Sequence, residues 1–212
     1  MSLEPLGPAE LAADAAFWAL YAHAFPPSER EPAEVILRSL HLGVGLALAG
    51  REEATHTQAL VTLHLLQDPD VVFLVYLALA GERRGHGEGR AVLESAWSAG
   101  VQALAQRGRR AQGLVWEVDP PETAPDAAER AVRERRLRFF ERAGGVQLPR
   151  PYLQPPVGTD PAPLPMRLMY RAAPGQPATP DADTLVRAMY AQKYGAVNGL
   201  PEAQLQALWA QR

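Results

Sequence analysis

The sequence predicts an α/β fold in which a mixed, mostly antiparallel twisted sheet is flanked by helices. Apolar residues recur at helical spacing near both ends of the chain, and shorter apolar runs between them are typical of strands. The run at residues 71–80 is almost unbroken, as expected of a strand covered on both faces. With 212 residues, 47% of them hydrophobic, the chain is long enough to bury a core. We expect a main domain at residues 1–174 and a helical appendage at 175–212.

The first half of the chain predicts two helices followed by three strands. Amphipathic spacing indicates a helix over residues 9–24, and Ser28 with its following acidic residues indicates the start of a second helix. Two antiparallel strands are expected at 44–48 and 59–66. The central strand at 71–80 follows them, so the sheet is built outward from these three runs.

The second half begins with a glycine-rich loop that leads into a helix reaching about Leu104. A strand at 113–119 ends at two prolines, and an arginine-rich helix at 127–142 stops at a glycine pair. Prolines recur after residue 148, so any later strand is expected at a sheet edge. The remaining elements are expected to be strands at 146–153 and 166–171 and helices at 184–194 and 201–211.

Composition narrows the classes of function. The chain has no cysteine, which excludes a disulfide framework, a thiolate metal site and a cysteine nucleophile. No predicted helix carries a His and an acidic residue at i, i+4 spacing, so we expect no metal. A net charge of −3 argues against a nucleic-acid partner. The amino terminus does not resemble a signal peptide and no window is long and apolar enough to span a membrane, so we expect a cytoplasmic protein without a membrane partner.

The glycine-rich loop is a candidate anion site, because closely spaced glycines let several backbone N–H groups face one anion at the start of a helix. A dinucleotide-binding fingerprint does not fit, since Arg90 stands where its third glycine belongs. A P-loop does not fit either, since the loop has no lysine. The residues expected to hold a pyrophosphate are Arg84, Gly85, His86, Gly87, Glu88 and Gly89.

The region that follows the central strand closely resembles the acyl-CoA-binding motif of the GCN5-related N-acetyltransferases (GNAT). The strand ends in Leu77-Ala78-Leu79, and after four more residues comes the motif segment 84–93. In that motif an arginine or glutamine is followed by two residues, a glycine, one residue, and a glycine or alanine. A second landmark of the family, an aromatic pair followed by a glycine, matches Phe139-Phe140 and Gly144. The resemblance covers roughly residues 5–172.

The resemblance implies a GNAT-like acyl-CoA N-acyltransferase fold with splayed central strands and acetyl-CoA as co-substrate. It implies direct acyl transfer to a primary amine of a small molecule or peptide. Within such a fold the cofactor-binding residues would be those of the loop together with Leu77, Ala78, Leu79, Phe139 and Phe140.

Amine attack on a thioester requires a base, because only the neutral amine is nucleophilic. In the implied fold Glu117 is the best placed carboxylate, and Asp119 is the second candidate. Tyr152 is a candidate phenol for the catalytic site. Glu29 and Trp116 are the expected acceptor-binding residues.

Two departures from the family pattern leave an alternative open. Phe140 stands where many members have a tyrosine that is proposed to protonate the departing thiolate, and Val75 stands where similar sequences often have glutamate. The alternative is a non-catalytic acyl-CoA-binding or interaction module of the same fold. A homodimer formed through the last helices is also left open.

Overall fold

The computed structural model describes residues 2–53, 56–83, 87–158 and 162–211. These residues form an eight-stranded sheet with helices on both faces. The strands are β1 (Leu3–Leu6), β2 (Gly45–Glu53), β3 (His56–Leu65), β4 (Val71–Leu79), β5 (Gly113–Val118), β6 (Val146–Gln147), β7 (Tyr152–Gln154) and β8 (Leu164–Ala172). The helices are α1 (Pro8–Ala13), α2 (Ala15–Ala24), α3 (Ala33–His41), α4 (Glu88–Ala105), α5 (Ala127–Arg142), α6 (Ala182–Ala188) and α7 (Glu202–Ala210), with a π-helix at Met189–Val197.

The sheet has the strand order β1-β2-β3-β4-β5-β8-β6, and β7 pairs with β8. Neighbouring strands are antiparallel except β4 and β5, which are parallel. The mixed, mostly antiparallel sheet is therefore confirmed. The expected edge position of the late strands is wrong for β8, which pairs with β5, β6 and β7. Its Pro165 lies outside the β5 ladder, which spans Arg167–Ala172, so the missing N–H of this proline leaves that pairing intact.

The central strands splay because β4 carries a bulge. Thr62 of β3 pairs with Tyr76 and Leu63 pairs with Leu74, so Val75 is an extra residue on β4. The parallel ladder between β4 and β5 ends at the same place, where Leu74 pairs with Trp116. Beyond this point the two strands are no longer paired, and a gap opens between them.

Helices cover the two faces of the sheet unequally. Helices α4 and α5 lie on the face that holds Val72 and Trp116. Gly100 of α4 permits the close approach, since a Cβ there would lie 2.7 Å from the Val72 side chain. Helices α1–α3 and the C-terminal helices lie on the opposite face. Within the described ranges, no helix has the length and apolar character that a membrane crossing requires.

Several boundaries differ from the sequence expectations. The helix expected at 9–24 is two helices, because the Asp14 side chain accepts a hydrogen bond from Phe17 N at 2.9 Å and caps α2. The helix expected from Ser28 begins only at Ala33, after a short 3₁₀ turn at Pro27–Glu29. The strand expected at 146–153 is the two short strands β6 and β7, and β1 was not expected.

The described part of the C-terminal segment, residues 175–211, packs on the sheet. Its residues Leu185, Met189 and Tyr194 belong to one apolar cluster with Phe73 and Val115 of the central strands. The division of the chain at residue 174 stays a prediction, but the segment shares its core with the sheet.

Candidate active site

A cleft of about 850 Å³ opens where β4 and β5 separate. Trp116 and Glu117, neighbours on β5 whose side chains point to opposite faces of the sheet, both line it. The cleft therefore extends through the gap and has two compartments. Residues of β4, of α5 and of the first turn of α4 line the compartment on the α4–α5 side. Residues of β7, of the π-helix and of the turn that follows α2 line the other compartment.

The expected cofactor-binding residues that the structure describes line the cleft, with the exception of Glu88. They are Leu77, Ala78, Leu79, Gly87, Gly89, Phe139 and Phe140. Leu77 and Leu79 pack on the α4–α5 side, whereas the Ala78 side chain packs with α2 and α3. Gly87 precedes the first turn of α4 with a φ of 80°, a left-handed conformation that favours glycine. The Glu88 side chain accepts a hydrogen bond from Arg83 at 3.1 Å. Arg84, Gly85 and His86 lie outside the described residues.

Helix α5 brings arginines to the same compartment. Arg133 and Arg138 form i, i+4 ion pairs with glutamates of the same helix, as expected of a solvated face. Arg135 and Arg142 line the cleft, together with Arg90 of α4. None of these three takes part in the ion pairs formed among the described residues. They give this compartment cationic groups that are available to an anionic ligand.

Glu117 lies where the splay begins and is the centre of the second compartment. Its Oε1 accepts hydrogen bonds from the Tyr152 hydroxyl at 2.5 Å and the Tyr194 hydroxyl at 2.7 Å. Its Oε2 accepts one from Gln154 Nε2 at 2.6 Å. Burial raises the pKa of the Glu117 carboxyl, and the three hydrogen bonds oppose that rise without cancelling it. The carboxyl is therefore held in one orientation with an elevated proton affinity.

The two tyrosines at Glu117 differ in their access to the cleft. Tyr194 is part of the cleft wall, whereas Tyr152 does not contribute to the lining that the described residues form. Burial raises the pKa of both phenols well above the ordinary value, so both are neutral donors at physiological pH. The role assigned to Tyr152 from the sequence stays a prediction, and the structure adds Tyr194 from the C-terminal segment.

Trp116 and Asp119 have other partners. The Trp116 ring is 1% exposed and its centroid lies 4.8 Å from that of Phe140, on the α4–α5 side. Asp119 accepts a hydrogen bond from Arg136 Nη1 at 2.7 Å. An acceptor role for Trp116 stays a prediction. Its side chain lies on the cofactor side of the sheet, whereas the Glu117 side chain lies on the other side.

Two further glutamates line the second compartment. The pKa of the Glu29 carboxyl is raised, mainly by burial and to a smaller extent by the negative charge of Asp119. Glu31 is buried and forms an ion pair with Lys193 of the π-helix. Asn198 bonds both members of this ion pair, since its Nδ2 donates to Glu31 at 2.7 Å and its Oδ1 accepts from Lys193 at 2.9 Å. Within the described part of the chain, no group of three or more His, Asp or Glu side chains is arranged to hold a metal ion.

The sequence did not point to Tyr194, Gln154, Glu31 or Lys193. Tyr194 is 77 residues from Glu117, and no motif connects the two. One available signal was Lys193, the single lysine of the chain.

No protein-family model matches this sequence, and neither does any curated protein sequence. Solved structures do match. A protein from Bacteroides thetaiotaomicron assigned to the GNAT family of acetyltransferases has 19% identity and a TM-score of 0.71, over 92% of this chain and 99% of its own. A variant of the Vibrio cholerae spermidine N-acetyltransferase has 13% identity and a TM-score of 0.56, over 81% and 95%. NAA60 of Arabidopsis thaliana, solved in complex with acetyl-CoA, has 13% identity and a TM-score of 0.54, over 82% and 98%. The strand order, the splay after Leu74 and these likenesses together show that this chain has the GNAT acyltransferase fold.

Proposed function

We propose that the protein is an acetyl-CoA-dependent N-acetyltransferase that transfers the acetyl group directly to a primary amine of a small molecule or peptide. The observation that carries this proposal is Glu117, a carboxylate of raised proton affinity at the opening between the splayed strands. The likeness to acetyltransferases, one of them solved with acetyl-CoA, supports the same function.

The first compartment suits the co-substrate. Its pantetheine would lie along Leu77, Ala78 and Leu79, and its pyrophosphate would bind backbone N–H groups of residues 84–89 at the start of α4. Arg135 and Arg142 supply positive charge for the remaining phosphate oxygens. Helix α4 has 18 residues, and the partial positive charge at its amino end faces this site.

The second compartment suits the amine. Glu117 accepts a proton from the amine nitrogen as the nitrogen bonds to the thioester carbon, and the carbon–sulfur bond then breaks. Acetyl ends on nitrogen and the sulfur leaves as a thiolate. Glu29 lines the same compartment and belongs to none of the ion pairs among the described residues, so it is available to a second positive charge on the acceptor.

A non-catalytic acyl-CoA-binding module remains the second candidate. It is favoured by Phe140, which lines the cleft without the hydroxyl that a proton donor needs at that position. The two candidates agree on cofactor binding and differ on turnover.

Calorimetry with acetyl-CoA, run beside an activity screen, separates them. We expect acetyl-CoA to bind, and thiol release to accompany transfer to at least one amine in a panel of polyamines, amino acids, aminoglycosides and peptide amines. Binding without turnover on any of these amines would support the module. Absence of acetyl-CoA binding would contradict both candidates.

A further inference from the structure

The thiolate that leaves in the proposed reaction has to be protonated before CoA is released. Phe140 cannot supply a proton, although its ring lines the cofactor compartment. We propose that Tyr194, which comes from the C-terminal segment, is the residue that delivers the proton to the leaving thiolate. This inference rests on the proposed acetyl transfer and names a catalytic group for it.

The position of Tyr194 carries the inference. Its side chain is 2% exposed, yet it forms part of the cleft wall at the opening between β4 and β5. Its hydroxyl donates to Glu117 Oε1 at 2.7 Å. The phenol therefore connects the carboxylate that receives the amine proton with the space in which the carbon–sulfur bond breaks.

The proton balance closes through this hydrogen bond. The amine nitrogen gives a proton to Glu117, and the carbon–sulfur bond breaks with its electron pair on sulfur. Tyr194 gives its hydroxyl proton to sulfur while the protonated Glu117 returns a proton to the phenolate oxygen. The enzyme ends with Glu117 ionised and Tyr194 neutral, as it began, and neither an added acid nor an oxidant is needed.

A concerted transfer suits the electrostatics of the pair. Burial and the neighbouring Glu117 charge keep the Tyr194 phenol neutral, so it would not lose a proton without simultaneous replacement. The hydrogen bond to Glu117 provides that replacement from the proton taken from the amine. Tyr194 therefore acts as a relay between base and leaving group.

The neighbour of Tyr194 fixes it in place. Lys193 precedes it on the π-helix and is also 2% exposed, so two consecutive side chains of this segment are buried. The Lys193 ammonium bonds the carboxylate of Glu31 on the turn after α2. Glu31 is held in turn by Tyr76 of β4, whose hydroxyl accepts from the Glu31 backbone N–H at 2.9 Å. The C-terminal segment is thus bound to the central strand beside the site.

Three tyrosine-to-phenylalanine substitutions test the relay. Y194F keeps the ring and removes the hydroxyl, and we expect kcat to fall about 100-fold, the low end of the usual loss of a general acid, with unchanged acetyl-CoA affinity. Y190F is the matched control, because Tyr190 lies on the same π-helix and its hydroxyl donates to Leu153 O at 2.5 Å. We expect its kcat within about twofold of the parent.

Y152F separates the relay from the simple loss of a hydrogen bond. Tyr152 and Tyr194 donate to the same oxygen of Glu117, so removing either hydroxyl moves the acid limb of the rate profile to higher pH. In Y152F we expect that displacement with a loss in plateau kcat below about tenfold. In Y194F we expect the displacement together with the 100-fold loss.

A second phenol should rescue the variant. Adding F140Y to Y194F places a hydroxyl on the cofactor wall of the same cleft, and we expect at least a tenfold recovery of kcat. Equal plateau losses in Y194F and Y152F, with no recovery in the double variant, would overturn the relay and leave the acetyl transfer standing. A parent protein that binds acetyl-CoA but acetylates no amine would overturn the proposed function, and the relay with it.

Discussion

At the residue scale, the chemistry of the site depends on the balance of opposing effects on Glu117. Burial of the carboxyl raises its pKa, while three hydrogen-bond donors stabilise the charged form and lower it. Burial is the larger effect, so the pKa lies above its usual range. A base of this kind binds a proton more strongly than an exposed carboxylate does.

Removing this carboxylate gives the residue-scale prediction. Glu117→Gln keeps the shape and removes the titration, so we expect kcat to fall by about 10²–10⁴ with little change in acetyl-CoA affinity. In the parent protein the rate rises with pH as Glu117 ionises, along a limb centred above the ordinary glutamate pKa, and this limb should be lost in the variant. Stopped assays across pH with a calorimetric Kd measure both quantities.

Asp119→Asn is the comparison variant, since Asp119 also lines the cleft and is bonded to Arg136. A larger loss in the Asp119 variant than in the Glu117 variant would transfer the role of base to Asp119. Unchanged turnover in the glutamine variant would remove Glu117 from the mechanism.

The sequence could indicate Glu117 because a carboxylate directly follows a run of buried strand residues, Leu114, Val115 and Trp116. It could not indicate Tyr194, because only the folded C-terminal segment brings residue 194 to β5. Contacts between distant parts of a chain leave no local pattern, so the sequence could not indicate that Tyr194 belongs to the proposed proton path.

At the element scale, the parts that position the cofactor were the most predictable. Strand β4, helices α4 and α5, and strand β5 agree with their expected bounds to within about three residues, because a doubly buried strand and long helices have strong periodic patterns. Strand β1 was missed, and β6 and β7 were expected as one strand. Strands β1, β6 and β7 have two to four residues each, too few to show a period.

The start of α4 gives the element-scale prediction. We expect Gly87→Val to abolish acetyl-CoA binding in calorimetry, because Gly87 lines the cofactor compartment and an added side chain would take up space that the cofactor needs. Its φ of 80° also strains any residue with a side chain, at a cost of about 1–2 kcal/mol.

Gly108→Val controls for that strain. Gly108 has a φ of 69°, a Cβ added to it would meet nothing within 4 Å, and it lies after the far end of α4. We expect both variants to lose similar stability in thermal unfolding and only the Gly87 variant to lose binding. A folded Gly87 variant that binds acetyl-CoA as tightly as the Gly108 variant would show that the loop does not hold the cofactor.

At the scale of the whole molecule, the C-terminal segment determines whether the site is complete. It supplies Tyr194 to Glu117 and Lys193 to Glu31, and it shares an apolar cluster with Phe73 of the central strand. A segment bound in this way is expected to unfold together with the sheet. The boundary expected at residue 174 instead implies two units that unfold separately.

The buried ion pair between Lys193 and Glu31 distinguishes these possibilities, since the two residues are 2% and 3% exposed and lie on opposite sides of that boundary. Lys193→Met leaves the Glu31 carboxylate buried without its cation, and breaking such a pair costs about 3–5 kcal/mol. If the chain is one cooperative unit, denaturant unfolding should lose this free energy in a single transition. Hydrogen exchange should then accelerate equally in the slowest amides of β4 and of the π-helix.

Adding Glu31→Gln removes the unpaired charge, so the double variant should recover part of the loss. Faster exchange confined to residues 175–211, with β4 unchanged, would instead establish the C-terminal segment as a separate unit, because the strain of the broken pair would then be released without unfolding the sheet.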